Sequence, residues 1–193
     1  MVRVLLPAFL CAVICFSPQA SALPGTAGEA VSCSVEPFPG SIRSQLKDDL
    51  VSWKVQQRED LSKNTRGRWE SEKPLQCPGI AIGRFEGGDA SAYAVLLVPR
   101  NRSTAGFRFL IFAPTDGAST YIRRVLEQSS DSAAENFFIR SIEIRKFFDA
   151  ASKAKFHVRT SDGILMVDAG ESEYETDIYF WANGQYEHQA VDY

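Results

Sequence analysis

The dipeptide Asn183-Gly184 constrains this chain more than any other feature of its sequence. Both residues tolerate the positive φ of a type I′ turn, and aromatic residues flank them on each side, so a tight β-hairpin is expected. A two-residue turn also sets the register. Trp181 then faces Tyr186, Phe180 faces Glu187 and Tyr179 faces His188. The two-residue period of a strand puts Tyr179, Trp181, Tyr186 and His188 on one face.

Hairpins recur upstream. Beyond Pro78, residues 79–85, 93–98 and 107–113 are rich in β-branched and large apolar side chains. The connections 86–89 and 99–106 carry glycine or proline, so two successive hairpins are expected. Residues 121–128 fit either a helical turn or a strand, 137–145 a strand and 147–154 a helical turn. Residues 156–160 and 164–168, joined by Ser161-Asp162-Gly163, read as a further hairpin. Helical spacing dominates only nearer the N-terminus. There Ile42, Leu46, Leu50 and Trp53 recur on one side, Ser41 suits the N-cap, and Asp48, Asp49, Gln56 and Arg58 fall largely on the other, which predicts a helix over 41–58. The fold class expected is α+β, one N-terminal helix packed on a largely antiparallel sheet of hairpins, in a single domain over 41–193. An irregular arm over 23–40 precedes it, broken by Pro24, Gly25, Gly28, Pro37, Pro39 and Gly40.

The first 22 residues read as a signal peptide: Arg3, an apolar run over 4–16, and small residues Ala20 and Ala22 at the positions that precede cleavage. The apolar run is too short for a hydrocarbon core about 30 Å thick, so no stable membrane anchor is expected after cleavage. Cys11 follows Leu10 and Cys15 follows Ile14, not the small residue that lipidation requires. Removal of the leader leaves Cys33 and Cys77, an even pair in an oxidising compartment, and a disulfide is expected. The address is periplasmic or secreted. The disulfide would close a loop of about 45 residues and contribute roughly 3–4 kcal/mol. A net charge of -3, with 23% charged residues, leaves no electrostatic footprint for nucleic acid.

Catalytic signatures are missing from the sequence: there is no Gly-x-Ser-x-Gly elbow, no His-Glu-x-x-His helix and no phosphate-cradling glycine loop. His157 and His188 are the only histidines, and two cysteines without a nearby histidine make a poor zinc shell. No metal or cofactor is expected. A hydrolase working through two carboxylates has no fixed sequence spacing and stays open on motif alone. Two binding features stand out. The face of Tyr179, Trp181, Tyr186 and His188 is either a solvated platform for a sugar ring or a partner's hot spot, or simply core. The interruption of the opposite face by Glu187 and Gln189 favours core. Glu171, Glu173, Glu175 and Asp177 alternate along an extended segment and would line one face, as a lure for a cation or basic partner or as a charged edge that discourages strand pairing. Arg100, Arg102 and Arg108 admit an anion-binding reading or serve solubility.

The stretch Cys77-Pro78-Gly79-Ile80-Ala81-Ile82-Gly83-Arg84-Phe85-Glu86-Gly87-Gly88-Asp89, followed by Tyr93-Ala94-Val95-Leu96-Leu97, resembles a segment of exported bacterial proteins with FG-GAP or VCBS-type repeats. The resemblance covers one copy of about twenty residues, so it implies no propeller. In that family the loop's aspartates bind calcium. Here Arg84, Gly88 and Ala92 stand at three of the acidic positions, Glu86 keeps a carboxylate and Asp89 is displaced by one, so the metal function is not carried over. The C-terminal pattern, Asp162-Gly163-Ile164 with Ile178-Tyr179-Phe180-Trp181 and Asn183-Gly184-Gln185-Tyr186, is also similar to the ends of small uncharacterised exported proteins. The function expected is a non-enzymatic binding domain of the cell envelope, its partner an envelope protein or glycan. The alternatives are a periplasmic inhibitor or immunity protein acting on a toxin or lysozyme-like enzyme, and a small carboxylate-based hydrolase.

Overall fold

The computed structural model describes residues 33–72, 76–101, 104–115, 119–149, 155–170 and 175–191. Most of them lie in antiparallel sheet, with a few short helices. The leader region and most of the expected arm lie outside the described residues.

The first strand pair explains the architecture. Strands β3 (Ala92–Pro99) and β4 (Phe107–Pro114) carry continuous apolar runs instead of alternating ones, and nearly every residue in them is buried. Such strands need a layer on each face. The first sheet runs in the order β1 (Trp53–Val55), β3, β4, β5 (Tyr121–Ser129), with β2 (Ile80–Gly83) pairing beside β1 along the same edge of β3. A second sheet, β6 (Phe137–Glu143), β7 (Asp162–Asp168), β8 (Glu175–Ala182) and β9 (Gln185–Ala190), packs against it. Leu96, Phe109 and Ile111 meet Ile139, Ile164, Met166 and Tyr179 between the two.

Both outer faces are covered. Over the first sheet lie Phe38, the Cys33–Cys77 disulfide, and Ile42 and Leu46 of α1 (Gly40–Leu46), packed on Val95, Leu97, Leu110 and Phe112. The disulfide thus forms as expected, with a Cα–Cα separation of 5.3 Å. Over the second sheet lie Leu61 and Trp69, the latter from α3 (Lys63–Ser71), together with Phe148. Ser62 caps α3, its hydroxyl accepting the Thr65 N–H at 3.3 Å.

Several sequence expectations need correction. The single helix over 41–58 is three pieces: α1, a short α2 (Asp49–Ser52) and strand β1. Pairing of Trp53, Lys54 and Val55 with Pro99, Val98 and Leu97 outweighs helical spacing there. One sheet becomes two. Residues 121–128, which fit either a helical turn or a strand, form strand β5 and so decide between the two readings. Residues 156–160 do not form a hairpin arm: Val158 makes only an isolated bridge to Ala182, and β7 pairs instead with β6 and β8. The strand expected over 137–145 ends at Glu143 in a 3-10 turn, Ile144–Lys146. No helix among the described residues is long and apolar enough to cross a membrane.

Candidate functional site

The β8–β9 hairpin turns at Asn183 (φ 52°) and Gly184 (φ 80°), and its register pairs Trp181 with Tyr186, Phe180 with Glu187 and Tyr179 with His188. Period two places Glu175, Asp177, Tyr179 and Trp181 of β8 on the face that looks toward the first sheet. That sheet stops at β5, so the same face runs from core into solvent. Tyr179 is buried, its ring edge-on to Phe109 at 5.0 Å. Trp181 and Tyr186 are half-buried, T-shaped at 5.1 Å, and His188 is exposed, stacked on Tyr179 at 5.5 Å. The question of core or platform therefore divides along the strand: Tyr179 is core, and Trp181, Tyr186 and His188 reach a cleft of about 210 Å³ between β5 and β9.

Strand β5 supplies the opposite wall through a β-bulge. Leu110 pairs with Val125 but Phe109 pairs with Glu127, so Leu126 is the extra residue and turns into the inter-sheet cluster. Without it, strict alternation from Arg124 would turn Glu127 away from the second sheet. With it, Arg124 and Glu127 both reach the β8 residues. Glu127 accepts the Tyr179 hydroxyl, and the Arg124 guanidinium lies 5.0 Å from the centre of the Trp181 ring. Arg124 is held there by Glu86, 3.1 Å from its Nε. Glu86 sits on the loop whose Gly87 and Gly88 have φ of 85° and 75°. The one carboxylate kept from the calcium-loop pattern is thus spent on an internal guanidinium. Burial first, then the neighbouring carboxylates Glu127 and Glu86, push the Tyr179 and Tyr186 hydroxyls well above the ordinary phenol range.

The acidic stripe is only partly within the described residues: Glu171 and Glu173 lie outside them. Glu175 is exposed, and Asp177 stands 3.6 Å from His188 Nδ1. These residues do not guard an edge, because β8 is flanked by β7 and β9. They share the face of the aromatic residues. Two of the arginines that admit an anion-binding reading or serve solubility are engaged within the chain. Arg108 bonds Asp49 at 2.6 Å and lies 4.5 Å over Trp53, and Arg100 donates to the Leu50 carbonyl. Arg102 lies outside the described residues. His157, exposed at φ 54°, lines neither cleft described here.

Sequence patterning misses Arg124 and Glu127, whose signal is the broken alternation of β5. It also misses a larger cleft of about 560 Å³ beside the start of α3, where Glu59, Asp60, Asp131 and Glu135 face Ser62 and Arg66. Asp60 is occupied by Lys54 Nζ at 2.6 Å and the Gln57 N–H at 2.9 Å. Among the described residues no group of three or more His, Cys, Asp or Glu is placed to hold a metal ion. Compared with family models, with curated proteins and with solved structures, the chain has no match.

Proposed function

We propose that the chain is an exported, non-enzymatic interaction domain whose recognition surface is the cleft where the sandwich opens between β5 and β9. One observation carries the reading: in a half-exposed cleft the Arg124 guanidinium lies over the Trp181 ring, which meets Tyr186 edge-on. Tryptophan, tyrosine and arginine are the residue types that dominate the energy of protein contacts, above all where they are set in a shaped recess. A protein partner fits better than a glycan, because the Arg124 guanidinium already lies over the Trp181 ring that a sugar would need. The disulfide and the apolar N-terminal run with small residues ahead of Ala22 support export, in the periplasm or outside the cell.

The test is capture from an envelope extract by the mature chain and by a Trp181→Ala/Tyr186→Ala variant, followed by reconstitution with the purified partner. The expected result is one partner bound by the parent chain and lost by the variant while near-ultraviolet dichroism and urea midpoint confirm a folded protein. Equal binding by a folded variant would move recognition away from this cleft.

A further inference from the structure

The cleft opens between two unpaired sheet edges, and its charges are unequal. Strand β5 ends the first sheet and β9 ends the second. Two of the exposed large apolar side chains of the described residues, Ile122 and Val125, at 48% and 52% exposure, sit on β5 itself. The Tyr121 carbonyl accepts from Gln45 Nε2 at 2.9 Å, and beyond it the edge, with its exposed β-branched residues, is a template for one more strand. Of the charges that line the cleft, Arg124 is paired with Glu86, and Glu187 accepts from the Asn183 side-chain amide. Beside the lining residues Tyr179 and His188, Glu127 and Asp177 have no lysine or arginine partner among the described residues. The rim of the cleft is therefore left negative. Its volume, about 210 Å³, is below the roughly 300 Å³ at which sites for drug-sized ligands begin, and suits one long side chain.

We infer that the occupant is an extended basic segment of a partner protein, added as a strand along β5, with one lysine or arginine side chain entering the cleft. This rests on the reading of the cleft as a protein-binding site and adds the chemistry of the partner. Backbone pairing along β5 supplies sequence-independent attachment, and the cleft selects the cation, since a negative rim attracts basic segments and repels acidic ones.

The probe is a six-residue peptide alternating valine and arginine, titrated into the mature chain while the Trp181 indole resonance and the β5 amides are followed by NMR. A valine–glutamate peptide and an N-acetylglucosamine oligomer serve as the other arms. The expected result is saturable binding of the arginine peptide with shifts at Trp181 and along β5, weakened about tenfold by Glu127→Gln/Asp177→Asn and falling as salt is raised. The salt dependence is read on the unaltered chain, so the test stands even where a variant folds poorly. An arginine peptide that does not bind, that binds without moving those resonances, or whose affinity ignores salt overturns the inference. If the glutamate peptide or the oligosaccharide moves Trp181 instead, the cleft keeps its role in recognition and only the basic partner falls. If the natural partner binds the Trp181→Ala/Tyr186→Ala variant undiminished, the underlying reading falls with it.

Discussion

Two buried phenols should make this protein lose stability in alkali faster than its other tyrosines allow. Tyr179 and Tyr186 are pushed above the ordinary value near 10 by burial first and then by the carboxylates of Glu127 and Glu86. Below about pH 10 both the folded and the unfolded chain keep these protons, and the pair adds no pH dependence. As pH rises past that value the unfolded chain ionises and the folded chain does not, so the balance moves toward unfolding. At pH 11 each phenol ionises in the unfolded chain with a gain of about 1.4 kcal/mol, so the two together remove roughly 3 kcal/mol. The assay is urea unfolding at several pH values from neutrality to pH 11, on the parent chain and on Tyr179→Phe/Tyr186→Phe. The variant starts about 1–2 kcal/mol lower at neutral pH, because Tyr179 no longer donates to Glu127. Its loss of stability between neutrality and pH 11 should be smaller by roughly 3 kcal/mol, about 2 kcal/mol of it above pH 10. Parallel declines would refute the reasoning, as would tyrosinate absorbance in which all six tyrosines of the folded chain ionise together near their ordinary value.

Two substitutions test the packing that positions the cleft. A Cβ at Gly79 would lie 2.7 Å from the Gln56 carbonyl oxygen and 2.8 Å from the Gln56 nitrogen, whose N–H donates to the Leu96 carbonyl of β3 while the Leu96 N–H donates to the Gly79 carbonyl. Gly79→Ala should therefore cost about 2–3 kcal/mol in urea unfolding, and a cost below about 0.5 kcal/mol would contradict that close approach. Asp49 is buried and meets Arg108 and Arg123 at 2.6 Å each. Both arginine side chains stay partly in water, at 36% and 29% exposure, so Asp49→Ala should cost about 1–3 kcal/mol instead of the 3–5 kcal/mol of a fully buried pair. A calorimetric melt that does not move would sink the assignment.

What could be read in advance follows the range of the forces involved. Asn183-Gly184 is legible because its turn chemistry is local: both residues take positive φ, and the register of Trp181, Tyr179 and Phe180 follows from chain geometry alone. The disulfide is legible by arithmetic once the cysteines of the expected leader are set aside. The apolar runs of β3 and β4 announce strands, and their lack of alternation already signals cover on both faces, which implies a second sheet or its equivalent. The helix over 41–58 is misread because Trp53 continues the helical spacing of Ile42, Leu46 and Leu50 and equally suits a strand, and only pairing with β3 decides between them. Helix α3 is hidden because Trp69 is its one large buried side chain, too little for a periodic stripe. The cleft is half legible. Its β8–β9 wall follows from the hairpin, but Arg124, Glu127 and Glu86 are brought to it by a bulge and a loop on another sheet. One clue was available without any structure: Glu175, Asp177, Tyr179 and Trp181 share parity, so the acidic and aromatic groups had to lie on the same face.

The placing of Leu61 and Trp69 has a consequence for the order in which the chain completes itself. They lie between β1 and β2 in sequence, yet they cover the outer face of the sheet made by β6 to β9. On the ribosome or at a translocation pore the cover emerges first and the strands beneath it last. The first sheet is a nearly sequential meander and can pair as it is made, but Trp69 has nowhere to bury until Phe138, Leu165 and Phe180 are assembled. Long sequence separation of this kind slows folding and delays closure to the last steps. Truncation within β8 or β9 would therefore leave an apolar surface uncovered near the beginning of the chain, and damage at one terminus would be felt as stickiness at the other.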